Sequence, residues 1–258
     1  TRYEIGKFSY SFKNETLKVG DKYSSQYINN LYRGIKKNTT VDFKMYCYTE
    51  DPKDIVDDVE IIELANPNLL KLQWHKIQFH SKNFAGIKNG ERCLILDIDW
   101  IITGNLDDIL SFDIKSGHFG CFERWWSNRL EWCSINGGFQ MYRMGDTEYL
   151  HRIFFADAEY WQERFIKLGE AEPPVNGEQN FVDLIIGPER YWFPKQWFAK
   201  YHEPEMKKIE KNWIKRVGPN PLLIDGEWDD DIKMIHFSNA KNIIENSNES
   251  WIKEFWSG

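Results

Sequence analysis

Residues 92–110 have the sequence RCLILDIDWIITGNLDDIL, in which an apolar run at 93–96 precedes Asp97 and Asp99 and a second apolar run follows at 100–102. A run that is apolar on both faces is typical of a central β-strand. Carboxylates are costly there unless they are paired, and at a spacing of two both point the same way. We therefore predict a Mg²⁺ or Mn²⁺ site at a strand end. The alternative is a turn with two solvated aspartates.

The composition favours a globular α/β protein and argues against a nucleic-acid-binding one. The chain has 258 residues, 41% of them hydrophobic, which is enough for one large α/β domain or two small ones. A net charge of -7 argues against a nucleic-acid partner, because nucleic-acid-binding proteins carry basic surfaces. Twelve tryptophans either fill the core or offer flat platforms that suit sugars and bases.

Several features predict a cytoplasmic protein. The four cysteines lack metal-ligand spacing and are predicted to be reduced thiols. No apolar segment approaches the ~18 residues of a membrane-spanning helix, and no signal peptide is visible. A basic helix face formed by Lys207, Lys208, Lys211, Lys215 and Arg216 suits weak contact with an anionic membrane. An ordinary solvated face is favoured, since Glu205 and Glu210 interrupt it.

The first half of the chain has a βαββαβ pattern, typical of a doubly wound sheet. Strands are predicted at 7–12, 43–48, 59–64 and 93–96, and a helix at 69–79. A further helix is predicted from the helical spacing of apolar residues over 27–35, with Ser24 or Ser25 as its N-cap and 36–38 as its end. The second half is less regular, with strands at 119–122 and 232–237, a Gly-broken turn at 135–142 that enters a strand, and helices at 148–155, 159–168 and 181–186. No linker divides the chain, and neither GxGxxG nor a P-loop is present.

Several segments resemble GT-A glycosyltransferases, in the order those enzymes show. LDIDWIITGNLDDI is similar to their DxD segment, NGG at 136–138 to their Asn-x-Gly turn, and GEQN at 177–180 to an Asp-Gln segment before a helix. IHFSNAKN at 235–242 resembles the His-Phe-x-Gly-x-x-Lys of glycogenin-like and bacterial lipopolysaccharide galactosyltransferases. GDKYSSQYINNLYRGI and YCYTED resemble the opening of bacterial and viral members. Glu178 stands where the family has Asp, and Ser238-Asn239 where it has Gly.

The resemblance implies a single GT-A domain over residues 1–258, with one Rossmann-like mixed sheet flanked by helices. Residues 1–110 would form the nucleotide-binding half and residues 111–258 the acceptor-binding half. The implied activity is metal-dependent transfer of a sugar from a UDP-sugar, or less favourably a GDP-sugar, to a glycan or other hydroxyl acceptor. The implied metal ligands are Asp97, Asp99 and His236. Mn²⁺ is preferred over Mg²⁺ because it accepts an imidazole more readily.

The resemblance also implies a set of donor contacts. The predicted nucleotide-sugar contacts are Tyr10, Lys22, Tyr23, Lys76, Asp97, Asn136 and Lys241. Lys241 would pair with the diphosphate, and Tyr10 or Tyr23 would stack on the base. Lys76 and His80 lie one turn apart on a predicted helix and can share a face. The alternatives are a core position for His236 and the tyrosines and a surface position for Lys241.

Glu178, Gln179 and Asp157 are candidates for the reaction centre. An inverting enzyme needs a carboxylate base, whereas a polar group near the anomeric carbon is sufficient for a retaining enzyme. The sequence leaves both alternatives open. Trp125, Trp126 and Trp132, with Arg129 and Glu131, form either an acceptor platform or a cover over the core.

Two other functions fit parts of the sequence. DIDWI resembles the strand end of haloacid-dehalogenase phosphatases, with Asp97 as nucleophile and residues 229–231 as a later acidic motif. That motif usually lies near the first strand, however, and here about three predicted strands precede it. A non-catalytic sugar-binding module built on tryptophans is the second alternative. Binding of a nucleoside diphosphate would distinguish the transferase from both.

Overall fold

The computed structural model of the chain describes residues 8–12, 15–19, 23–66, 68–124, 133–167, 177–187, 189–201, 231–237, 244–247 and 250–257, the first two segments by their backbone alone. The strands are β1 Phe8–Phe12, β2 Glu15–Val19, β3 Met45–Thr49, β4 Val59–Glu63, β5 Arg92–Leu96, β6 Trp100–Ile102, β7 Phe119–Glu123, β8 Ile135–Arg143, β9 Arg190–Trp192, β10 Phe198–Tyr201 and β11 Met234–Phe237. The α-helices are α1 Ser25–Lys37, α2 Asp107–Leu110, α3 Glu148–Ala156, α4 Ala158–Gln162, α5 Gly177–Ile185 and α6 Ser250–Trp256. Short 3₁₀ helices span Leu72–His80, Phe84–Gly86 and Lys195–Trp197, and a π-helical turn spans Glu163–Lys167.

Helix α1 forms where the helical spacing predicted it. Tyr27, Ile28, Leu31 and Ile35 recur on one face and are buried against the sheet. Its last turn carries basic residues, which complement the negative end of the helix dipole. Gly34 allows the helix to approach β6 closely, because a Cβ at this position would lie 3.3 Å from the Cβ of Ile102.

The described strands form four hydrogen-bonded groups, whereas one mixed sheet was predicted. The largest has the order β5-β8-β7-β9, and the second has the order β10-β11-β6. In the first, β8 is antiparallel to both β5 and β7, and β9 is parallel to β7. In the second, β11 is parallel to β10 and antiparallel to β6. β3 pairs with β4 in parallel, and β1 pairs with β2 in antiparallel orientation.

The strand predicted at 93–96 forms as β5, but its predicted central place is wrong, and the chain passes to another sheet directly after it. β5 stands at the end of the four-stranded order, and β6 pairs with β11 in the other sheet. Asp97 and Asp99 occupy the turn between the two strands. β8 is buried on both faces from Ile135 to Tyr142. Its side chains alternate between two cores: Phe139 and Met141 pack with α1, β6 and β11, while Tyr142 packs with α3, α5 and the 3₁₀ helix.

The predicted Gly-broken turn at 135–142 is also wrong, since Gly137 and Gly138 lie within the continuous strand β8. Their lack of side chains leaves room for neighbouring groups. A Cβ at Gly137 would lie 2.5 Å from the Cβ of Gln179, and a Cβ at Gly138 would lie 2.8 Å from Oδ2 of Asp97. Helix α5 begins at Gly177, so the GEQN segment forms its first turn and does not precede it.

All four cysteines are free thiols; Cys47, Cys121 and Cys133 are buried and Cys93 is half-buried. Among the residues that the structure describes, no helix has the length and apolar character needed to cross a membrane.

Substitution of Gly137 and Gly138 compares two kinds of close contact. One is with a Cβ atom that moves only with its helix, and the other is with the ends of side chains that can rotate away. Gly137→Ala forces α5 away from β8, because the clash is with the Cβ of Gln179, and we expect a loss of about 1–3 kcal/mol in unfolding free energy. Gly138→Ala meets only the ends of the Asp97 and Asn136 side chains, so its loss is expected to be smaller. Urea denaturation of both variants measures the difference, and equal losses would contradict this account.

Candidate functional site

The structure brings Asp97, Asp99 and His236 together, although His236 is far from the other two in sequence. One ligand atom from each lies within 4.8 Å of the others. Nε2 of His236 is 3.3 Å from Oδ1 of Asp99. Two carboxylates and an imidazole are a donor set that accommodates a divalent transition ion, and Mn²⁺ in particular. The ligand role of each residue remains a prediction.

Backbone pairing fixes the two aspartates. The amide of Asp97 donates to the carbonyl of Gly138 at 3.0 Å, which extends the pairing of β5 with β8 by one residue. The carbonyl of Asp99 accepts from the amide of Phe237 at 3.1 Å, which extends the pairing of β6 with β11. The turn is therefore attached to one sheet at each end.

His236 is oriented by a stacked aromatic ring and by contacts at both of its ring nitrogens. Trp100 stacks on the ring with the centroids 4.7 Å apart, and Nζ of Lys200 lies 2.7 Å from Nδ1. Because an ammonium group can only donate, Nδ1 accepts, and Nε2 carries the proton that faces Asp99. Burial lowers the pKa of His236, as does the charge of Lys200, while Asp99 raises it. Coordination at Nε2 would displace that proton.

Tyr23 completes the environment of Asp99. Its hydroxyl donates to Oδ2 of Asp99 at 3.0 Å. Tyr23 immediately precedes α1, so the start of that helix is adjacent to the cluster. The predicted stacking of Tyr23 on a base remains untested, and the observed contact assigns it a hydrogen bond to a predicted metal ligand.

Lys76 connects the cluster to helix α5. Its Nζ lies 2.9 Å from Oδ1 of Asp97, 3.4 Å from Oε2 of Glu178 and 3.1 Å from the carbonyl of Gly137. Lys76 and Glu178 are buried, whereas Asp97 is partly exposed. A buried cation between two carboxylates reduces the cost of burying all three.

Glu178 and Gln179 lie in the first turn of α5 and face β8. Oε1 of Glu178 accepts from Nε2 of Gln140 at 3.0 Å, and Oε1 of Gln179 accepts from the amide of Gly137 at 3.2 Å. Burial raises the pKa of Glu178, and the charge of Lys76 lowers it. Asn136 lies alongside and accepts from the amide of Gly138 at 2.9 Å.

Asp157 has a local structural role. Its carboxylate is the N-cap of α4 and accepts from the amide of Tyr160 at 2.9 Å. It is exposed, and none of the contacts described above for the cluster involves it. A role of Asp157 in the reaction centre therefore stays a prediction, without a contact in this structure that supports it.

The remaining predicted residues cannot be placed. The side chain of Tyr10 and residues Lys22, Lys241, Trp125, Trp126, Trp132, Arg129 and Glu131 lie outside the described residues, as does the basic face at 207–216. Two functional candidates were missed by the sequence analysis: Lys200, which contacts His236, and Gln140, which contacts Glu178.

Known proteins match this chain by structure and not by sequence. No family model and no curated protein matches the sequence. The glycosyltransferase GlyE of Streptococcus pneumoniae TIGR4 superposes with a TM-score of 0.56 over 90% of this chain and 57% of GlyE, at 12% identity. The galactosyltransferase LgtC, solved with donor and acceptor sugar analogues, superposes with a TM-score of 0.52 over 83% of both chains, at 9% identity. The chain has the GT-A fold. It spans less than two thirds of the length of GlyE.

The predicted fold class is thus confirmed. In this structure the turn between β5 and β6 brings Asp97 and Asp99 close to His236 of β11. Such strand ends are the usual ligand sites of open α/β sheets. The haloacid-dehalogenase alternative receives no support from these neighbours.

Removal of Lys76 tests the buried charge arrangement. Lys76→Met leaves Glu178 without its cation, and we expect a loss of about 3–5 kcal/mol in unfolding free energy. The loss is expected to be smaller at about pH 5 than at about pH 8, because burial raises the pKa of Glu178 and the unpaired carboxyl can take up a proton. Adding Glu178→Gln should recover a substantial part of the loss. A double variant as unstable as the single one, measured by urea denaturation, would contradict the pairing.

Proposed function

We propose that this chain is a metal-dependent glycosyltransferase that moves a sugar from a nucleotide-diphosphate sugar to a glycan or other hydroxyl acceptor. A UDP-sugar is the favoured donor and a GDP-sugar is possible. The observation that carries the proposal is the cluster of Asp97, Asp99 and His236 at the junction of two sheets in a GT-A fold.

The donor set supports a divalent ion. Asp97 and Asp99 would provide hard oxygen ligands and His236 a nitrogen, and this mixture suits Mn²⁺ better than Mg²⁺. A bound ion would act as a Lewis acid towards the diphosphate, whose negative charge grows as it leaves. In this proposal Tyr23 and Lys200 hold Asp99 and His236 in place.

The groups beside the cluster would bind the sugar that is transferred. Lys76 and Glu178 present a cation and a carboxylate within 3.4 Å of each other, adjacent to Asp97. Glu178 is held by Lys76 and Gln140 and is buried, so we assign it to orienting a hydroxyl group and not to proton abstraction. Gln179 remains the candidate for the polar group near the anomeric carbon. Asn136 is assigned a place beside the donor.

We also propose which part of the domain binds each substrate. In the proposal residues 1–110 bind the nucleotide and residues 111–258 bind the acceptor, with Lys22, Tyr10 and Lys241 as further donor contacts. The similarity to LgtC, whose structure contains donor and acceptor sugar analogues, supports this arrangement.

Thermal unfolding with and without a divalent ion tests the proposal. UDP should stabilise the protein in the presence of Mn²⁺ by about 2.7 kcal/mol at a hundredfold excess over Kd, and it should have no effect with excess EDTA. The stabilisation arises because only the folded cluster can hold the ion that bridges to the diphosphate. Titration of GDP alongside UDP establishes the base preference.

Two variants test whether the stabilisation by Mn²⁺ and UDP depends on Asp99. Asp99→Asn keeps the size of the side chain and removes a predicted ligand, so it should abolish the stabilisation by Mn²⁺ and UDP. Asp108→Asn removes an exposed carboxylate that pairs with Lys233, and it should leave the stabilisation intact. Equal stabilisation by UDP in EDTA, or an Asp99→Asn protein that responds like the native one, would contradict the proposal.

A further inference from the structure

A chain of buried side-chain hydrogen bonds ends on Glu178. Nε2 of Gln140 lies 3.0 Å from Oε1 of Glu178, and Oε1 of Gln140 lies 3.1 Å from Nε2 of His80. Nδ1 of His80 lies 2.9 Å from Oγ1 of Thr147. None of the four residues is more than 3% exposed. We call His80, Gln140 and Thr147 the relay.

The partners fix the position of every hydrogen in the relay. Nε2 of Gln140 faces two acceptors, Glu178 and the carbonyl of Gly137 at 3.0 Å, so this end of the side chain is the NH₂ group. Oε1 of Gln140 must then accept, and Nε2 of His80 must carry a hydrogen. Burial lowers the pKa of His80 to about 3, so the ring is neutral and Nδ1 accepts from the hydroxyl of Thr147. Each residue of the relay therefore donates one hydrogen bond in the direction of Glu178, and the second hydrogen of the Gln140 amide points to the carbonyl of Gly137.

The relay joins three parts of the fold. His80 ends the 3₁₀ helix Leu72–His80, Gln140 lies in β8, and Thr147 precedes α3. β5 and β7 flank Gln140 on both sides, opposite Ile95 and Cys121. A polar side chain in a central strand is costly unless it is fully hydrogen-bonded, and apolar residues of the same size would pack there at least as well. Stability alone therefore does not explain the relay.

We propose that His80 and Gln140 are positioning residues that hold the carboxylate of Glu178 in one orientation for the transfer reaction. Gln140 donates a hydrogen bond to Oε1 of Glu178, so Oε2 of Glu178 faces Lys76 at 3.4 Å. Lys76 in turn contacts Asp97. Glu178 has one more rotatable bond than an aspartate, and the hydrogen bond from Gln140 removes that freedom. The inference rests on the proposed function, because it concerns the residue assigned there to orienting the sugar.

The first experiment examines the relay without any turnover. In the native protein at neutral pH, long-range ¹H–¹⁵N correlation spectra of ¹⁵N-histidine-labelled protein should show His80 as the neutral tautomer with its hydrogen on Nε2. His80→Gln identifies the His80 signals by their loss. A hydrogen on Nδ1, or a charged ring, would overturn the hydrogen-bond direction on which the inference depends.

The second experiment measures UDP release from UDP-glucose and UDP-galactose with Mn²⁺. His80→Phe keeps a ring but ends the relay, so kcat should fall by about 10- to 100-fold while KM for the nucleotide-sugar changes little. His80→Gln can still donate to Gln140 and accept from Thr147, so it should keep most of the native kcat. Gln140→Met should lower kcat about as much as His80→Phe does. The double variant should have nearly the same kcat as either single variant, because both substitutions interrupt the same chain of hydrogen bonds. His118→Phe changes a partly buried histidine outside the relay and is the control.

The outcomes separate this inference from the proposed function. If the native protein releases UDP and a folded His80→Phe protein has native kcat, the positioning role is wrong and the transferase remains. If kcat falls equally in His80→Phe and His80→Gln, the fall in kcat is not caused by the loss of the hydrogen bonds of His80, and the inference also fails. If His80→Phe does not fold, Thr147→Val is judged by the same kcat criterion, because it leaves the ring in place. Absence of UDP release from the native protein counts against the function and the positioning role together, while the tautomer measurement still decides the relay.

Discussion

The carbonyl oxygen of Gly138 holds the two sheets of the site in register. It accepts from the amide of Asp97 at 3.0 Å and from Nε1 of Trp100 at 2.9 Å, so one atom of β8 fixes the end of β5 and the start of β6. Trp100 then stacks on His236. The turn between the strands is thus attached by the backbone bonds of Asp97 and Asp99 and by the indole of Trp100, so the position of the two carboxylates does not depend on contacts between them and His236.

Local sequence patterns predicted the elements but not their partners. The helical spacing of α1 and the apolar run of β3 are properties of neighbouring residues, and both elements formed where expected. The convergence of His236 with Asp97 and Asp99 was predictable because strand ends gather ligands. The assignment of β5 and β6 to different sheets was not, because it depends on pairing with β8 and β11, which are distant in sequence.

The functional residues that were missed lack a local signal. Gln140 lies in an apolar strand and acquires its role only from the proximity of His80 and Glu178. Lys200 faces His236 through the register of β10 with β11. Asp157 had a local signal that favoured another role, because an aspartate directly before a helix is a preferred N-cap.

If the donor is a nucleotide-diphosphate sugar, as proposed, the charges around the site explain why a bound cation would be needed. Asp97, Asp99 and Glu178 bring three carboxylates, and Lys76 and Lys200 bring two ammonium groups, so these described residues carry one net negative charge when all are ionised. A diphosphate approaching this surface would be repelled. In the proposed function, a divalent ion held by Asp97, Asp99 and His236 would reverse the sign locally and supply positive charge for phosphate oxygens. Lys76 and Lys200 are already engaged with Asp97, Glu178 and His236, so these two ammonium groups stabilise the protein's own groups. In the proposed function, the positive charge that faces the diphosphate at this cluster would therefore come from a bound ion.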